Sequence, residues 1–205
     1  MEIDSDLKVA TIGVGEFARF SPFTQKSDPL GFGSWRAAAG QQWHKEIQNR
    51  ADSEGFSNEQ SIKGDLEWRG WTLRLKGRID QIRSYKDRTH LREIKTVTTH
   101  LPLRPEEVSS RFKSYCIQLL TYRELLNRIE AQPTSSVDLD LFLIEIGSGI
   151  TQSLLLDERF ETLVVDQLDV LTDYLDRKLE RLSRLRALRF KSAYETPRPG
   201  QETIQ

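Results

Sequence analysis

Between residues 71 and 97 two alternating stretches flank one short polar connection, a pattern that constrains this part of the chain to an antiparallel strand pair. In the first stretch Leu73, Leu75, Ile79 and Ile82 are the apolar positions. Thr72, Arg74, Lys76, Arg78 and Asp80 share the other register, as in a strand with one wet face. In the second, Leu91, Glu93, Lys95 and Val97 share a face and Ile94 opposes them. The connection, residues 83–90 with Asp87 inside it, is polar and short enough to make the strands neighbours. Asp80 is thereby brought near Glu93, with Lys95 beside it.

Two carboxylates side by side repel unless a cation lies between them, and oxygen donors of this kind suit Mg²⁺ or Mn²⁺. An acid at a strand end followed thirteen residues later by Glu-x-Lys is therefore the pattern of a metal-dependent phosphodiesterase site. Taken singly, an acid near a strand end is ordinarily a solvated turn residue, and Glu-x-Lys a surface ion pair. Placed on adjacent strands, they specify more.

The net charge of −1 excludes a globally basic protein, so contact with nucleic acid must come from a local patch. Residues 71–95 supply one, with eight Lys or Arg against three acids, and Arg78 lies two residues from Asp80. The single cysteine, Cys116, gives no disulfide framework, zinc site or iron–sulfur cluster, and fits a reducing cytoplasm as a small core residue. The acidic N-terminus lacks an apolar segment and no run approaches a membrane span, so a soluble protein without a membrane partner is expected. With 205 residues and 37% apolar content, one main domain is the default.

In chain order, residues 8–35 read as a short helix around Val14, Phe17 and Phe20, followed by a loop rich in Gly, Pro and Ser. A clearer helix covers 34–50, with Trp35, Ala39, Trp43 and Ile47 at helical spacing, His44 beside that stripe, and Gly40 permitting close approach of another backbone. A lone His there is ordinarily a hydrogen-bonded core residue. Residues 61–69 alternate as a strand, and Arg69-Gly70 turns into the strand carrying Asp80. Pro105-Glu106-Glu107 starts a helix. A longer helix spans about 113–131, in which Ile117, Leu120, Leu125 and Leu126 form core while Gln118 and Tyr122 share a different face. An amide and a phenol four residues apart can hold a phosphate or a base, or can simply edge a core. Residues 137–146 and 150–156 are strands joined by Gly147-Ser-Gly149, giving a mixed sheet with helices on it. A long helix over 157–191 closes the series, acidic first and basic last, in keeping with the helix dipole.

The set Gly40-x-x-x-His44, Gly77-x-Ile-Asp80, Glu93-Ile-Lys95 and Gln118-x-x-x-Tyr122 resembles the ordered motifs of the RecB-like branch of the PD-(D/E)XK nucleases, over roughly residues 10–155. The resemblance implies an α/β fold with a restriction-endonuclease-like core: a helix, a three-stranded antiparallel meander, a helix and a further strand. It also implies that His44, Asp80, Glu93 and the backbone carbonyl of Ile94 bind Mg²⁺ or Mn²⁺, that Lys95 acts with Asp80 and Glu93 in catalysis, and that Gln118 and Tyr122, with Arg78, contact DNA. Many relatives in this branch hold an iron–sulfur cluster on four cysteines, which Cys116 alone cannot form.

The run Ala193-Tyr-Glu-Thr-Pro-Arg-Pro-Gly-Gln201 resembles the opening of helicases of the XPD and DinG type. It implies a nuclease domain over 1–191, a helicase-like start over 192–205 and a helicase domain in the same full-length chain, and it favours single-stranded or flap DNA. A disordered Pro-rich tail is the plain alternative for the run. Two further readings stand beside the nuclease: a silent DNA-binding module that loads a helicase, and a scaffold built on the long charged helix.

Overall fold

The computed structural model describes residues 1–23, 33–86, 88–129 and 136–187, without the side chains of 33–39 and 52. Expectations that fall on the loop at 24–32, on Asp87, on the end of the helix at 131, and on 188–205, including the 191/192 boundary, lie outside those residues, as do the side chains of Trp35 and Ala39. In order the elements are β1 (Glu2–Asp4), β2 (Val9–Gly13), α1 (Val14–Ala18), α2 (Gly33–Ala51), β3 (Ser57–Trp68), β4 (Trp71–Tyr85), β5 (Arg88–Val97), α3 (Pro105–Arg111), α4 (Lys113–Ile129), β6 (Ser136–Glu145), β7 (Thr151–Leu156) and α5 (Thr162–Ala187). They form the expected α/β architecture, a central seven-stranded mixed sheet with helices against it and a long C-terminal helix. The chain falls into two compact units, Met1–Thr172, which holds the sheet, and the segment from Asp173 onward. No helix among the described residues is long and apolar enough to cross a membrane.

The meander β3–β4–β5 is antiparallel throughout. Its first hairpin turns at Arg69 and Gly70, both at positive φ, between the paired Trp68 and Trp71, a two-residue turn of the kind that follows the strand twist. Trp71, Leu73, Leu75 and Ile79 are fully buried and Arg74, Lys76 and Arg78 exposed, as the alternation requires. The buried series ends differently from expectation: Gln81 is fully buried and Ile82 only half-buried. Gln81 is accommodated by hydrogen bonds, donating to Asn58 Oδ1 at 3.1 Å and accepting from Arg92 at 3.4 Å.

Two strands were not legible in 1–13. β2 lies parallel to β4 and β1 antiparallel to β2, and the helix that follows is the single turn and a half of α1. The parallel partner of Val9–Gly13 is sixty-three residues away (Val9 opposite Thr72), so local spacing carries little trace of it.

β4 is the axis of the site. One of its edges is taken by β3 along its length. The other is shared, with β2 opposite residues 72–76 and β5 opposite residues 81–85. Residues 77–80 fall in the gap where β2 has ended and β5 has diverged toward β6, its parallel partner. Side chains meet the backbone there: Tyr122 Oη donates to the carbonyl of Arg78 at 2.8 Å, and the N–H of Ile94 donates to Asp80 Oδ2 at 2.8 Å.

α4 packs behind this fork and is buried from Cys116 to Tyr122 without a break. That is more than a one-sided helix would bury, because α1 and α3 flank it while β3, β5 and β6 lie beneath. Gln118 and Tyr122 consequently belong to the interior.

Candidate metal and phosphodiester site

The fork brings Asp80, Glu93 and Lys95 together. Glu93 is completely buried. Its Oε1 accepts from the Lys95 ammonium and from the Gln118 amide, the latter at 2.5 Å. Lys95 Nζ also lies 3.8 Å from Asp80 Oδ2, so one ammonium is shared by two carboxylates. The face predicted for Glu93 and Lys95 and the proximity predicted for Asp80 are both found.

The second oxygen of Glu93 differs from the first. Glu93 Oε2 is buried with no hydrogen-bond partner, the one such side-chain atom among the described residues. An unmet carboxylate oxygen is costly in a dry interior. Burial, with some repulsion from Asp80, pushes the Glu93 carboxyl up to about 8, although Lys95 pulls the other way. For Lys95 burial works to lower the pKa, but the Glu93 and Asp80 carboxylates outweigh it and hold the ammonium above its usual value.

A cavity of about 660 Å³ opens over these groups. Asp80 and Lys95 line it together with Gly40, His44, Arg78, Thr96 and Tyr115. His44 thus reaches the same cavity from α2. Gly40 lets that helix come close to β5, since a Cβ there would stand 3.1 Å from Thr96 Oγ1. Among the described residues no three His, Cys, Asp or Glu side chains are gathered tightly enough to ligate an ion, so His44 stands on the wall rather than in a cluster with the two acids. The donor set still fits a hard divalent cation: two carboxylates, one with an unmet oxygen, on either side of one ammonium.

Gln118 and Tyr122 face inward. The Gln118 amide also donates to Tyr122 Oη at 3.1 Å, making a chain from Glu93 through Gln118 and Tyr122 to the Arg78 carbonyl. Burial pushes the Tyr122 phenol up, so it stays a donor. Two cavity residues lacked a sequence signal strong enough to single them out. Tyr115 sits three residues before Gln118, its ring centroid 5.5 Å from Lys95 Nζ. Glu59 adopts a positive φ of 56° and pairs with Arg78 at 3.3 Å.

A central strand with an acid where one of its edges is left open, a neighbouring strand carrying Glu-x-Lys, and a helix that holds the Glu define an α/β protein with a two-carboxylate, one-lysine centre. A sequence model of the PD-(D/E)XK nuclease superfamily matches residues 18–199, and the chain belongs to that superfamily. No curated protein matches it. Among solved structures it is similar to SSO0001, with 18% identity, a TM-score of 0.49, and 88% of this chain and 79% of that one covered. It is also similar to a candidate exonuclease from Eubacterium rectale, with 12% identity, a TM-score of 0.48, and 84% and 67% covered.

Proposed function

We propose that the chain is a metal-dependent deoxyribonuclease of the RecB-like branch. The observation that carries this reading is the unmet, buried Oε2 of Glu93 beside Asp80 and Lys95. A buried acid with one free oxygen is expensive for the fold and useful for holding a cation.

Asp80, Glu93 and the Ile94 carbonyl, with His44 from α2, are the groups that would hold Mg²⁺ or Mn²⁺. A divalent ion bound there supplies Lewis acidity toward a phosphodiester oxygen and a lowered pKa for water. Gln118 holds Glu93 Oε1 and leaves Oε2 as the oxygen without a partner. Lys95, which lies beside both carboxylates, would offset negative charge on the phosphorane-like transition state. Arg78, at the cavity rim, 62% exposed and paired with Glu59, would meet a phosphate there.

Single-stranded or flap DNA is the favoured substrate and a helicase domain the partner, on the strength of the run at 193–201. The lone thiol of Cys116, buried and pushed up to about 12 by burial, suits the cytoplasm.

The test is cleavage of end-labelled single-stranded and duplex DNA in Mg²⁺, Mn²⁺ and EDTA, with Asp80→Ala beside the wild type. Metal-dependent cutting absent from the variant supports the assignment. Cutting by the variant at the wild-type rate refutes it, and DNA binding without cutting by the wild type favours the silent binding module instead.

A further inference from the structure

The exposed face of the β3–β4 ladder carries cross-strand pairs that change character along its length. Glu67 opposite Thr72 is hydrogen-bonded at 3.0 Å, and Asp65 opposite Arg74 is an ion pair at 3.3 Å. The next pair is Lys63 opposite Lys76, both exposed. Ser61 opposite Arg78 follows, and Asp80 comes two residues further along β4. Like charges placed directly opposite each other destabilise a ladder. Among the described residues neither ammonium has an ion-pair or hydrogen-bond partner.

Edge protection accounts for a lysine on β3, whose one partner strand is β4. It does not account for Lys76, which lies inside the sheet between Lys63 on one side and Gly13 on the other. Gly13 presents no side chain to cover or neutralise it. Lys76, Arg78 and Asp80 fall at every second residue of one strand, so their side chains follow one face toward the site. Arg78 joins the two regions, lining both the catalytic cavity and an adjoining cavity of about 620 Å³ bounded by Ser61, Lys63, Lys76 and Gly77.

We propose that Lys63 and Lys76 form a subsite for the phosphates of one nucleic-acid strand, which runs along the β3–β4 face and enters the cavity past Arg78. The inference rests on the nuclease reading and adds the path of the substrate. The cationic patch is one strand pair wide and is bounded at its far end by the neutral Asp65–Arg74 pair, a width that suits a single backbone. The like-charge pair is tolerated because a polyanion relieves it.

The experiment uses a fluorescent oligothymidylate of about twenty nucleotides, bound by the full chain in EDTA over a range of salt. Losing two phosphate contacts lowers the slope of log affinity against log salt by about 1.4. Lys63→Gln/Lys76→Gln should show that change and bind about tenfold more weakly, while hydrolysing bis(p-nitrophenyl) phosphate at the wild-type rate with Mn²⁺, because that small diester does not reach the ladder. Lys63→Glu should raise Tm by creating an opposite-charge pair and still lose more than tenfold in binding. A slope and affinity equal to wild type in both variants overturns the subsite and leaves the nuclease reading standing. A wild type that neither binds the strand nor hydrolyses the diester overturns both.

Discussion

Asp80 Oδ2 accepts the backbone N–H of Ile94 at 2.8 Å, so the first acid of the site is tied to the strand that carries the second. The contact sits where the β4–β5 ladder has opened, one step beyond the last pair, Gln81 opposite Arg92. Asp80 therefore has a structural duty as well as a chemical one, and two substitutions separate them. Asp80→Asn keeps an acceptor for Ile94 and removes the charge. It should unfold within about 0.5 kcal/mol of wild type, the usual range for a change that leaves partners met, yet lose at least about 100-fold in metal-dependent cleavage. Asp80→Ala should lose the same activity and in addition about 1–2 kcal/mol in denaturant unfolding, because the N–H of the buried Ile94 is left without a partner. Equal stabilities for the two variants would show that the bond does not brace the fork.

Glu93 sets a pH dependence on stability. Burial pushes its carboxyl up to about 8 in the folded chain, whereas an exposed glutamate titrates near about 4.3. The folded state holds that proton more tightly than the unfolded chain, so the contribution is complete below about 4.3 and is lost as pH rises through the folded value. Glu93→Gln cannot ionise. In EDTA its Tm relative to wild type should rise steadily from pH 5 to pH 8, and Mg²⁺ should narrow the difference at the alkaline end by stabilising the wild type alone. A difference flat across that range would refute the assignment.

The parts of the site that lie on consecutive strands were legible, because a period of two and a short polar turn dictate both face and neighbour. Asp80, Glu93 and Lys95 came together on that basis alone. Gln118 and Tyr122 were legible as a pair but not as buried residues. The spacing gives a shared helix face, and what covers that face depends on α1 and α3, which the periodicity of α4 does not report. The gap in β4 was hidden for a related reason. It exists because two strands distant in sequence divide one edge between them, and neither carries a mark of the other. His44 was not legible from its own helix, whose spacing reads it as a core histidine; Gly40, where a side chain would press on Thr96, marks only the close approach that brings it to the cavity wall.

Gly77 is required by what lies over it. A Cβ at that position would stand 2.7 Å from Tyr122 Cε1 and 3.0 Å from Val14 Cγ2. Neither neighbour can yield freely, since both are buried and Tyr122 is bonded to the next residue's carbonyl. Gly77→Ala should cost about 1–3 kcal/mol by overpacking. Displacing the Tyr122 ring would also slacken Gln118 against Glu93, so cleavage should fall more than the fraction of folded protein does. Circular dichroism melts read beside kcat test this; wild-type values for both would mean that the ring moves aside without consequence.

Tyr122→Phe distinguishes a residue that braces the site from one that touches DNA. Tyr122 is 2% exposed, and its hydroxyl donates to the Arg78 carbonyl while accepting from Gln118. Removing the hydroxyl leaves both of those groups short of a partner, which should cost about 1–2 kcal/mol in stability. It also frees the Gln118 amide that orients Glu93, so kcat should fall roughly tenfold, the effect of a small misplacement at the reacting centre. KM and the salt dependence of oligonucleotide binding should stay as in wild type, because no phosphate contact is lost. A direct DNA contact would give the opposite division, with KM and the salt slope moving while kcat holds. Steady-state kinetics at two salt concentrations therefore decide between the buried chain of hydrogen bonds and a surface role for this tyrosine.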